Sequence, residues 1–246
     1  MFSLVKRAPL RIISWGIILL VGSLLLQHKN LYKIIADGHE ITNKQLEQQG
    51  RIESAKLSFT KKVPDLGFDN IIADWMFLSF LQYFGDDEVR NKTNYQASPD
   101  FFEIILDRDP RFFLGYVFLS ASTSLYAAQP QTTVNIIDQH LPTLTPEIPP
   151  EAAIIWRYKG VDELLFLGKP EAAQKSYETA AEWAEQSPDP AVQATAAASR
   201  QTAQFIAENP DSRRTLIAGW SQILGQAIDE NTFNLAVQQV EALGGS

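Results

Sequence analysis

A carboxylate set among hydrophobic side chains is the strongest candidate for chemistry in this sequence. Asp74 lies in the run from Ile71 to Phe84, in which eleven of fourteen residues are apolar. Asp74, Leu78 and Gln82 recur at four-residue spacing with Ser79 beside them, which on a helix makes a narrow polar strip. A buried strip of Asp74 and Gln82 would bind a partner group or hydrogen-bond a neighbouring helix. A structural role, capping or pairing with an arginine, is the favoured one, because buried carboxylates need partners. The other carboxylate groups point to less. Asp86-Asp87-Glu88 lacks the alternating spacing and terminal glutamate of a calcium loop and reads as a solvated loop. Asp107 and Asp109 flank Arg108 at an expected helix end and belong to its turn.

The remaining reactive types are scarce. The 246 residues include no cysteine, which excludes disulfides, iron–sulfur clusters, thiolate zinc and a cysteine nucleophile. With only three histidines (His28, His39 and His140) a His-rich metal site is not expected, and His140 has no positioned nucleophile in sight. GxSxG, a phosphate-binding glycine loop and HExxH are all missing from the sequence. No catalytic, cofactor-binding or metal-binding residue and no cofactor are expected, which leaves an enzyme of unknown reaction as the lesser alternative.

The elements that must position any site begin with a charge asymmetry. The formal net charge is −8, but residues 1–62 carry +6 and residues 63–246 carry −14. A body so acidic repels phosphate backbones, so nucleic acid is not an expected partner. The basic end surrounds Ile12 to Leu26, fifteen residues without a charge, which Leu10 and a snorkelling Arg11 extend. This is the lower edge of a bilayer span. Small residues suited to signal-peptide cleavage do not follow, as Leu24-Leu25-Leu26-Gln27-His28-Lys29 shows, so an uncleaved signal-anchor is expected. Residues 1–9 then form a basic tail, 10–28 a transmembrane helix that makes the lipid bilayer a partner, 29–62 a polar stalk and 63–246 the body. Lys6, Arg7 and Arg11 favour a cytoplasmic amino terminus with the body across the membrane.

In the stalk, Leu46, Ile52, Leu57 and Phe59 are too sparse for a broad apolar face. Pro64 disfavours helix at Val63 and marks a boundary. Beyond it the chain reads as all-α. Asp69 or Asn70 begins a helix that Gly85 stops at Phe84, buried nearly all round. Further helices are predicted over Pro99–Leu106, Pro110–Ala128, Pro130–Pro142, Glu151–Leu167, Pro170–Ala184 and Pro190–Ala207. Two stripes at helical spacing follow, Leu216-Trp220-Ile223-Ala227 and Phe233-Val237-Val240-Leu243.

Short helices paired across Pro/Gly turns invite a search for repeats. Ala173, Tyr177 and Ala180 have the small–aromatic–small spacing of the second helix of a tetratricopeptide repeat, after the turn Leu167-Gly168-Lys169. Trp156 and Gly160 keep the spacing of its first helix, one residue early. Lys159 and Glu163 replace the family's leucine and tyrosine, and Pro188 arrives three residues late. Phe102, Ile105 and Pro110, then Tyr116, Leu119 and Ser120, repeat the theme more faintly. Residues 69–188 thus resemble membrane-anchored bacterial tetratricopeptide-repeat proteins. The resemblance implies an α-solenoid of antiparallel hairpins whose first helices line a groove, with Leu114, Val117, Ala121 and Ser124 from one unit and Ile154, Arg157 and Val161 from another. It also implies a noncatalytic scaffold or assembly factor that binds a protein or peptide segment of a membrane-associated client. A structural subunit of an envelope or membrane complex is the alternative.

Overall fold

The computed structural model describes residues 43–64, 67–86, 89–90, 95–227 and 229–244. The expected basic tail, the 10–28 transmembrane helix and residues 29–42 of the expected stalk lie outside these residues. Among those described, the regular structure is helical throughout, apart from a single bridge between Thr145 and Ile148.

The helices are α1 (Asn43–Thr60), α2 (Asp69–Phe84), α3 (Ser98–Arg108), α4 (Phe113–Leu119), α5 (Pro130–His140), α6 (Ala152–Leu165), α7 (Pro170–Gln186), α8 (Pro190–Gln193), α9 (Ala196–Glu208), α10 (Arg213–Gln226) and α11 (Glu230–Ala242). Proline opens α5, α7 and α8, where its missing N–H costs no hydrogen bond. Asp189 and Asp229 cap α8 and α11, their carboxylates accepting from Ala191 and Thr232 N–H groups.

Two spans differ from their expected form. The segment predicted as one helix from Pro110 begins at Phe113 and passes at Ser120 into a π-helical stretch, Ser120–Tyr126. Ser120, Ser122, Thr123 and Ser124 crowd this stretch with hydroxyls that compete for backbone groups, and the Ser122 hydroxyl donates to the Phe118 carbonyl at 2.7 Å. The segment Pro190–Ala207 is two helices, broken at residues 194–195.

The compact unit begins at Lys44, so residues 44–62, expected within the stalk, belong to the helical body. Leu57 is the reason. It is 4% exposed and packs in the main core, while the Lys61 ammonium reaches Asp100 at 3.1 Å and Glu103 at 2.8 Å on α3. Arg108 at the end of α3 fastens the same corner. Its guanidinium donates to Asp69 at 2.8 Å and to the Val63 and Thr60 carbonyls.

Aromatic rings fill the main core. Phe80 of α2 is fully buried against Phe84, Phe101, Phe102 and Phe118, with centroids 4.5 to 6.0 Å away. Such ring pairs add about 0.5–1.5 kcal/mol beyond area burial. The second half packs differently, through small residues. Helices α6 and α7 form a hairpin, and α9 lies against α7. Ala173, Ala180, Ala181, Ala184 and Ala203 are buried there and permit close approach. A methyl group on Gly160 of α6 would lie 2.9 Å from the Tyr177 ring, so glycine makes room for that aromatic. Helix α10 meets α6 just as closely: a methyl on Gly219 would lie 2.4 Å from the Leu165 carbonyl oxygen.

Candidate functional site

Helix α2 turns Ala73, Met76, Phe77, Phe80 and Tyr83 inward at helical spacing. Its opposite face is not covered: Ile71 and Trp75 are 63% exposed, Leu78 56% and Leu81 37%. Asp74 and Gln82 lie exposed on this face, which corrects the expectation of a buried polar strip. Apolar content made α2 look buried on every side, but α1 and α3 cover only part of its circumference. Ser79 alone of the strip is buried. Its hydroxyl accepts from Lys56 Nζ of α1 at 2.8 Å and donates to the Trp75 carbonyl at 2.9 Å. The Lys56 ammonium also stands 6.0 Å from the centroid of the Trp75 ring. Ile52 and Phe59, each about one turn from Lys56, are exposed on α1.

Two shallow depressions flank this edge. One, of about 360 Å³, is lined by Trp75, Leu78, Ser79, Leu81 and Gln82. The other, of about 290 Å³, includes Ile52, Glu53, Lys56 and Arg90. Arg90 stacks on the Tyr83 ring at 3.7 Å and approaches Glu53 at 3.8 Å. Burial raises the Glu53 carboxyl above its ordinary value, against the lowering pull of Arg90 and Lys56.

The residues expected to line a groove separate into three environments. Leu114 and Ala121 are exposed and Val117 is half-buried. Ser124 is fully buried, its hydroxyl donating to Thr133 at 2.8 Å, so it lines no accessible groove. Ile154 packs against the cluster of Ala153, Ala184, Val192 and Ala196, and Val161 against Ala173, Tyr177, Ala203 and Ile206. Both serve the contacts of α6 with its neighbours. Arg157 is half-buried, and its charge acts on the Tyr177 hydroxyl.

The carboxylate that is deeply buried is Asp162, which the residue pattern did not single out. It is 0% exposed beneath the π-helical stretch, with Ser120 donating to Oδ2 at 3.0 Å and no partner at Oδ1. Desolvation pushes its carboxyl up to about 7; the Ser120 hydroxyl that donates to it opposes this, and the Glu163 charge adds to it. Glu163, also buried, accepts from Ser176 at 2.6 Å and meets the Lys159 ammonium at 3.3 Å, which in turn reaches Asp138 at 2.9 Å. The one sequence cue was Glu163 in place of the repeat family's tyrosine. Of the acidic residues expected in loops and turns, Asp86 and Asp109 act there, whereas Asp107 lies within α3 and reaches across to α5. Asp86 and Asp109 accept from the Val89 and Arg111 N–H groups, and Asp107 holds His140 Nε2 at 3.0 Å.

Among the described residues, no group of three or more His, Asp or Glu side chains could hold a metal ion, and no helix is long and apolar enough to cross a membrane. What the arrangement offers is surface: an apolar, tryptophan-bearing face edged by lysine, on a body whose buried charges are enclosed. No protein-family model, curated protein or solved structure matches the chain.

Proposed function

We propose that the chain is a noncatalytic, membrane-tethered helical scaffold, built like a tetratricopeptide α-solenoid, that holds a protein client or an assembly intermediate of a membrane complex near the bilayer. Residues 10–28 supply the tether, with the amino terminus on the cytoplasmic side and the body across the membrane. The observation that carries the reading is the stacking of α6, α7 and α9. Tyr177 fills the space left by Gly160, and the alanines of α7 lie between two helices. Layers of this kind each cover their neighbour and leave surface for a client segment. A tether raises the effective concentration of such a surface toward membrane-bound clients.

The test is photocrosslinking in native membranes from positions 114 and 157. Capture of one and the same membrane protein from both, below one scaffold per client and enriched with immature complexes, supports an assembly factor. Constant stoichiometry in a mature complex supports a structural subunit instead. Unrelated captures, or none, overturn both readings. Protease accessibility of the body in intact and opened vesicles decides the orientation.

A further inference from the structure

We propose that the exposed face of α2, with the adjoining edge of α1, lies on an anionic bilayer at headgroup depth, so that the body is seated on lipid rather than held away from it on a stalk. This rests on the tethered reading and adds a second contact to it. Ile71, Trp75 and Leu78 recur at three- and four-residue spacing on one side of α2, all more than half exposed. Phe59 and Phe68 are exposed near the α1–α2 connection, and Ile52 further back on α1. Exposed tryptophan and phenylalanine with lysine at their edge suit the boundary between headgroups and acyl chains.

Charge and chain length select lipid over a second copy or an acidic client. Residues 43–64, which contain α1, carry +3 while residues 63–246 carry −14, so α1 supplies the attraction to an anionic surface and the neighbouring face of α2 supplies the apolar contact. Lys56 stands at the seam between the helices, beside Trp75. Lys62 is exposed just past α1, and Lys61 remains 40% exposed while joined to Asp100 and Glu103. The acidic groups nearby are Glu53, close to Arg90, Asp69, held by Arg108, Asp86, which accepts from the Val89 N–H, and the exposed Asp74. Asp74 sets the depth, because its carboxylate must stay hydrated while Trp75 and Leu78 enter the interface. Only residues 29–42 separate the end of the hydrophobic segment from α1, a length that reaches at most about 50 Å, so α1 stays within range of the lipid.

The absence of cysteine permits a direct test on the whole chain. Leu78→Cys, and separately Ile71→Cys, is labelled with an environment-sensitive dye and reconstituted in vesicles of phosphatidylcholine with phosphatidylglycerol. Phe205→Cys, on the exposed side of α9, is the reference. Lipids with a shallow nitroxide should quench the dye at 71 and 78 at least about threefold more than at 205 and more than deep nitroxides do, as expected for an apolar face roughly 5–10 Å into the interface. Asp74→Asn should strengthen that quenching, and phosphatidylcholine alone should weaken it. Equal quenching at all three positions, in a chain that withstands alkaline carbonate, overturns the seating and leaves the tether standing. Shielding at 71 and 78 that follows protein density rather than lipid charge identifies a second copy and also overturns it. A chain that washes off overturns the tether, and the seating with it.

Discussion

Asp162→Asn offers a stringent test of the buried network. The native carboxyl is held at about 7 against an ordinary value of 3.8, chiefly because burial disfavours its charged form. Between those values the folded chain keeps a proton that the unfolded chain has released, so this group makes stability fall as pH rises through the window. Above about pH 7, the ionised group costs the fold about 4 kcal/mol, the shift multiplied by 1.36 kcal/mol per pH unit. Asparagine has the shape of the neutral acid and cannot ionise, while Ser120 can still donate to its carbonyl oxygen. Urea unfolding of residues 44–246, which form one compact unit, is to be followed for both proteins by circular dichroism. The variant should gain on the parent by about 2–3 kcal/mol between about pH 5 and about pH 8, a shift near 1 M in the relative urea midpoints. Contributions from distant carboxylates, such as Asp69 beside Arg108, are common to both proteins and cancel in the difference, whereas that of Glu163, whose charge acts on Asp162, does not. Parallel profiles would refute the reasoning, because they would mean that Asp162 ionises in the folded chain as easily as in the unfolded one.

Leu57→Ala should lower the stability of the same unit by about 2–4 kcal/mol in urea unfolding, whereas a side chain on a detached stalk would leave it unchanged. Gly219→Ala should be more damaging than Gly160→Ala in the same assay. The added methyl at 219 meets the backbone carbonyl of Leu165, while the one at 160 meets a Tyr177 ring that can give way at about 1–3 kcal/mol. Arg108→Leu should expose the α1–α2 connection to limited proteolysis, since Asp69 and the Val63 and Thr60 carbonyls lose their common donor.

Punctuation was the most legible feature of the sequence. Pro130, Pro170 and Pro190 each open a helix where the pyrrolidine ring suits a first turn. Gly168 lies in the α6–α7 connection at φ +61°, with Leu216 beside it, where any side chain would be strained. Ala173, Tyr177 and Ala180 also showed the inward side of α7 correctly. Helix α1 was misread because sparse apolar residues do not announce a buried face. One leucine and the clamps formed by Lys61 and Arg108 nevertheless bind its end to the body. Contacts at such sequence separation leave no periodic signal. The π-helical stretch was equally illegible, since its hydroxyls gain meaning only from Asp162 and Thr133, on helices that come later in the chain.

The misread Asp74 and the overlooked Asp162 share one cause. Helix α2 is apolar almost all round, yet α1 and α3 leave one side open, so Asp74 meets water. Helix α6 carries Asp162 and Glu163 side by side, yet it packs against α4, α5 and the π-helical stretch as well as α7 and α10, so both carboxylates are enclosed. Hydrophobic content measures what a helix would gain from coverage, whereas the number of neighbours decides what it receives. The difference sets what each helix must then obtain. Enclosed Asp162 and Glu163 must find hydroxyls, an ammonium or a proton within the fold, and Ser120, Ser176 and Lys159 stand where they are required. Uncovered Ile71, Trp75 and Leu78 can complete their burial only against something beyond these helices, and the lysine at their edge favours a surface that is itself anionic.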